Sequence, residues 1–122
     1  MGARLFNTLP AVIITVLAFA LLVSGDNVTW QVPLKDNTKK IGPTGKMNIT
    51  WTGTHGVYEI PSSSCPSAFA PGNGQTELVK PQDGGNYVWQ PPADAKAGSK
   101  YYLTDQVDDN CKKGLLLTVT IK

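Results

Sequence analysis

From residue 28 onward, apolar and polar side chains alternate in short stretches. Val28, Trp30 and Val32 alternate with Thr29 and Gln31; Met47, Ile49 and Trp51 alternate with Asn48, Thr50 and Thr52. Near the end of the chain, Leu115, Leu117, Val119 and Ile121 alternate with Thr118, Thr120 and Lys122. A period of two is that of a strand with one face against a core. Three shorter β-rich runs lie between turn residues: 57–60, which stops at Pro61; 87–89, between Asp83-Gly84-Gly85 and Pro91-Pro92; and 101–104, after Ala97-Gly98-Ser99. Residues 62–74 show no period and read as a long connection with room for one short helical turn. Gly72, Gly74, Gly84 and Gly85 read as turn glycines. Strands and turn signals at this spacing predict an all-β, antiparallel Greek-key sandwich.

Residues 1–25 do not share this pattern. Arg4 is their only charge, an apolar run fills 11–23, and Val23-Ser24-Gly25 supplies small residues ahead of Asp26. This is the layout of a secretory signal cleaved before Asp26. The stretch 5–23 is also just long enough to span a bilayer as an uncleaved anchor. The chain thus divides into a signal or anchor over 1–25 and a domain over 26–122, placed outside the cytoplasm. Cysteine usage agrees with export: Cys65 and Cys111 are the only two, and an even count in an exported chain predicts one disulfide. Two sequons, Asn27-Val28-Thr29 and Asn48-Ile49-Thr50, mark Asn27 and Asn48 as glycosylation positions on the polar face of their strands.

Composition narrows the function. Eleven Lys+Arg against nine Asp+Glu leave a net charge of +2, with no basic run that would favour nucleic acid. The catalytic inventory is thin. His55 is the only histidine, and Ser62-Ser63-Ser64 has no nucleophile-elbow pattern. Asp105, Asp108 and Asp109 read as a solvated loop face, with a hard-cation site of oxygen ligands as the sharper alternative. Trp30, Trp51 and Trp89 read as core residues rather than as a sugar-stacking platform.

His55 lies in Trp51-x-Gly53-Thr54-His55-Gly56-Val57, which resembles the histidine-bearing strand of the phytocyanins, a branch of the blue-copper cupredoxins. The closing segment, from Tyr102 through Val107, Cys111, Gly114 and Leu117, is similar to the family's ligand loop and final strand. The resemblance runs over nearly all of 28–121. It implies a cupredoxin sandwich and a disulfide between Cys65 and Cys111. It also implies a copper site of two histidines, a cysteine thiolate and an axial methionine or glutamine. Carried over residue by residue, only His55 survives. Asp105 stands at the thiolate position, Asn110 at the second histidine and Leu115 at the axial ligand. An acid, an amide and an aliphatic group do not reproduce a field built on one soft thiolate and two imidazoles.

The sequence therefore leads to a non-enzymatic, extracytoplasmic module without copper that displays His55, Asp105, Asn110 and Leu115 at one end. In this respect it resembles the nodulin-like phytocyanins, which lack the ligands. Its partner would be a protein, a glycan or a membrane complex, with membrane contact only if residues 1–25 are retained. The alternative is a metal-binding or electron-transfer protein with an atypical site at His55, Asp105 and Asn110.

Overall fold

The structure is a computed structural model that describes residues 26–122; the signal-or-anchor segment lies outside the described residues. Six strands follow in order: β1 (Asp26–Thr29), β2 (Thr38–Ile41), β3 (Met47–Ile60), β4 (Thr76–Trp89), β5 (Lys100–Thr104) and β6 (Leu116–Ile121). They run β1-β3-β5-β6-β2, and β4 also pairs with β3.

β3 organises the fold. It pairs antiparallel with β4 along most of its length, parallel with β1 over Met47–Thr50, and antiparallel with β5 over Tyr58–Ile60. Between its β1-paired and β5-paired portions, the β3–β4 register shifts three times, around Trp51, His55 and Val57. Such bulges bend a strand and raise its local twist, which lets one strand serve both walls of a sandwich. Gly53, at φ 76°, supplies the left-handed conformation within the first shift.

The alternating runs face the core as predicted. Met47, Ile49, Leu115, Leu117 and Val119 are fully buried, and Trp51 and Ile121 nearly so. Trp30 and Trp89 join them. Each indole N–H finds an acceptor: Trp30 on Gly56 O at 2.9 Å, Trp51 on Gln82 O at 3.3 Å, and Trp89 on Glu59 Oε1 at 3.5 Å. The three tryptophans are therefore core residues with satisfied polar edges.

Several expectations need correction. The sandwich is not wholly antiparallel, because β1–β3 and β2–β6 are parallel pairs. The runs 47–52 and 57–60 belong to one 14-residue strand. Val32 leaves the core alternation and is exposed. Gly84 and Gly85 lie inside β4 rather than in a turn. Gly85 sits opposite Trp51, and a Cβ there would run into the indole, so the glycine makes room for a core side chain. Pro81 is tolerated because it falls where β3–β4 pairing is interrupted, between Val79 and Gln82. The 62–74 connection holds bends and a Gly72–Gln75 bridge, without a helical turn.

Cys65 and Cys111 form a disulfide, with Cα atoms 6.0 Å apart. It fastens the 62–74 connection to the loop before β6.

Two outcomes follow. Trp51→Ala should cost about 3–5 kcal/mol in urea unfolding, the usual range for emptying a buried aromatic site; a variant as stable as the parent would place Trp51 on the surface. Non-reducing peptide mapping should recover one Cys65–Cys111 pair. Reducing it should lower stability by about 4 kcal/mol in the chain-entropy model for a loop of this length.

Candidate functional site

The four positions singled out in the sequence meet at one end of the sandwich. His55 is supplied by β3 between two of its register shifts, and Asp105 follows β5 directly. Asn110 lies in the turn-rich loop after Asp105, and Leu115 precedes β6.

Asp105 is the centre of this arrangement. It is fully buried, and its two oxygens accept four N–H groups. Oδ1 accepts from the backbone of Gly56 and of Val107, each at 3.0 Å. Oδ2 accepts from His55 Nδ1 at 2.6 Å and from Asn110 Nδ2 at 2.7 Å. Charge-assisted bonds of this kind offset the cost of withdrawing a carboxylate from water. A carboxylate only accepts, so the arrangement assigns the Nδ1 proton to His55.

The surroundings hold that centre in place. Gly56 uses both backbone groups here: its N–H meets Asp105 and its carbonyl accepts from Trp30. A Cβ at Gly56 would stand 2.5 Å from the Gln106 amide, so no larger residue fits without moving that side chain. Gln106 donates to Val79 O at 3.0 Å and Glu77 Oε2 at 3.4 Å, while its own Oε1 is buried without a partner among the described residues. Buried Thr104 donates to Leu115 O at 2.6 Å, and Leu115 N–H donates to Asn110 O at 2.9 Å. Gly114, at φ 107°, turns the chain into β6. Nearby, burial followed by the Glu77 carboxylate pushes the Tyr58 phenol up; burial and Glu59 do the same for Tyr87 on β4.

This geometry changes the expected display. Asp105 and Leu115 are fully buried, so neither faces solvent. Asp105 also leaves the solvated acidic face to Asp108 and Asp109, which are exposed. No group of three or more His, Cys, Asp or Glu suited to a metal ion occurs among the described residues. His55 keeps 15% of its side chain exposed and opens on a surface cleft of about 350 Å³ between Thr29–Val32 and Thr50–Thr52. The sequence reading assigned no site role to Gly56, Val107, Gln106 or Thr104. Gly56 and Val107 carried a signal, their places in the two family-like segments.

The donor set does not fit blue copper. Both cysteines are joined in a disulfide, every lone pair direction on Asp105 already receives an N–H, and Leu115 has no donor atom. Asn27 and Asn48 are register partners on β1 and β3, Asn48 Nδ2 donates to Asn27 Oδ1 at 3.5 Å, and the sequon threonines Thr29 and Thr50 line the cleft onto which His55 opens.

If Asp105 ties this end together, Asp105→Ala should leave four donors, one buried and three part-buried, without their acceptor. A loss of about 3–5 kcal/mol is expected, as for breaking other buried charged networks. Urea unfolding measures the loss, and an effect below about 1 kcal/mol would remove Asp105 from the centre of the account.

No protein-family model matches the chain, and no curated protein matches it. Solved structures do. Auracyanin B aligns with 79% of this chain and 86% of its own, at 9% identity and a TM-score of 0.52. Dithionite-reduced auracyanin from Roseiflexus castenholzii covers 81% of this chain and 97% of its own, at 10% identity and a TM-score of 0.49. Rusticyanin from Thiobacillus ferrooxidans covers 87% and 92%, at 19% identity and a TM-score of 0.42. The auracyanin B alignment, together with the strand arrangement above, gives the described residues a cupredoxin-like fold.

Proposed function

We propose that this chain is an exported cupredoxin-fold protein without a working blue-copper site. It acts as a non-enzymatic binding or structural module toward a protein, a glycan or a membrane assembly. The observation that carries the reading is Asp105. At the position the phytocyanin resemblance assigns to the thiolate, a buried carboxylate spends its acceptor capacity on four protein N–H groups. A redox role in this fold needs a soft sulfur ligand, and both cysteine sulfurs are committed to each other. What the site provides instead is a fixed scaffold end with one imidazole at its surface.

Export rests on the apolar 1–25 segment, the disulfide and the sequons. Intact mass of the native protein tests cleavage and glycan attachment together. A mass that includes residues 1–25 would favour the anchored form of the module.

Copper chemistry tests the functional core of the proposal. Adding copper(II) to the unmodified protein should produce no intense thiolate-to-copper charge-transfer band. The triple change Asp105→Cys, Asn110→His and Leu115→Met should create one, by restoring the missing donors beside His55. A charge-transfer band in the unmodified protein, with the Cys65–Cys111 bond intact, would overturn the proposal.

A further inference from the structure

We infer that the lysine-bearing end of the domain, where β1 begins and β2 and β6 finish, is the face it turns toward an anionic lipid surface, with the His55 end pointing away. The inference deepens the membrane form of the module reading and rests on residues 1–25 being retained. Intact mass tests retention by itself; the footprint below, taken on a chain that keeps those residues, tests the lysine face.

The strand registers place the lysines. β1 starts at Asp26 beside Met47, the first residue of β3, and β2 ends at Ile41 beside Ile121. Lys40 pairs with Thr120, and Thr120 pairs with Lys100 on its other side, so the three form one row across the sheet. Directly paired residues share a face, and Lys100 Nζ donates to Thr120 Oγ1 at 3.3 Å. Lys122 lies two residues beyond Thr120, and Lys46 immediately precedes β3. Asp26, Lys40, Lys46 and Lys122 line one shallow recess of about 170 Å³. Lys40, Lys46, Lys100 and Lys122 are exposed, and none has an ion-pair partner among the described residues. Their long stems let the ammonium groups reach past the strand ends. The acidic side chains at this end are Asp26 and Asp94, the latter in the β4–β5 loop with Lys96. Asp105, Asp108 and Asp109 follow the far end of β5.

The chain itself supplies the occupant. The apolar run 11–23 stops three residues before Asp26. Such a gap spans at most about 11 Å, so a bilayer holding the run lies at the lysine end. There its headgroups meet four ammonium groups without ion-pair partners, and each lysine close to an anionic surface adds to attachment. An acidic protein could also meet lysines, but it gives no reason for them to gather where the apolar segment joins the domain. A lipid plane accounts for both.

The test reconstitutes the 122-residue chain into vesicles of phosphatidylcholine alone, or of phosphatidylcholine with phosphatidylglycerol. Amines are then acylated and mapped by mass spectrometry. On the anionic vesicles Lys40, Lys46, Lys100 and Lys122 should react about three- to sevenfold more slowly, because a surface potential of about −30 to −50 mV holds amines in their unreactive protonated form by that factor. Lys112 and Lys113 precede β6, whose length of about 20 Å is some two Debye lengths at 0.1 M salt, and they should react alike on both vesicles. In 1 M salt the contrast should vanish. In the combined Lys40→Glu, Lys46→Glu, Lys100→Glu variant, the contrast at Lys122 should fall below about twofold as the domain lifts from the surface. All three positions are exposed, and the parent footprint decides even if the variant does not fold. No contrast between vesicles, an equal contrast at Lys112 and Lys113, or a folded variant that keeps the parent contrast at Lys122 would each overturn the inference. Protection by soluble polyglutamate but by neither vesicle would assign the face to an acidic protein and overturn it as well.

Discussion

One buried carboxylate governs this end of the molecule. Asp105 collects donors from His55 and Gly56 on β3 and from Val107 and Asn110 in the loop that follows it, so it ties that loop to a strand about 50 residues earlier. A lone carboxylate in such a place would cost several kcal/mol. Four N–H groups convert the same charge into a fastening point. Asn110 takes part in the same way, its amide nitrogen donating inward to the carboxylate.

β3 makes the arrangement possible. A regular strand would keep its side chains in strict alternation and stay with one set of neighbours. The register shifts around His55 break that alternation, carry the strand from β1 to β5, and bring the His55 ring and the Gly56 amide to the same carboxylate. Consecutive residues of an unbroken strand point to opposite faces, so the irregular backbone is part of the site.

The sequence made some of this plain and concealed the rest for physical reasons. Strand β6 was legible because Leu117, Val119 and Ile121 each meet the core while their neighbours do not. The start of β3 was legible on the same ground. β2 was not: Thr38–Ile41 buries only Ile41, and its strand character comes from parallel pairing with β6, far along the chain. β4 was obscured by Pro81, Gly84 and Gly85, whose tolerance depends on gaps in pairing and on the Trp51 indole opposite. The site positions were found through their resemblance to a ligand pattern. The burial of Asp105 was hidden because its charge taken alone predicts exposure, and two of its four donors come from residues some 50 positions earlier.

The pairing of β2 with β6 has a consequence for biosynthesis. Ile41 is joined to Ile121, and Lys122 N–H donates to Ile41 O at 2.9 Å. Roughly 80 residues separate the two strands, so at 5–20 residues per second β2 emerges on the order of 4–16 s before its partner. During that wait it is an unpaired strand in a nascent chain, open to neighbours of the wrong kind. Its sequence, Thr-Lys-Lys-Ile, is suited to the interval: two lysines in four residues discourage association with other strand edges until β6 arrives. The weak hydrophobic signal that made β2 hard to recognise thus also leaves that waiting strand little apolar surface to offer a wrong partner.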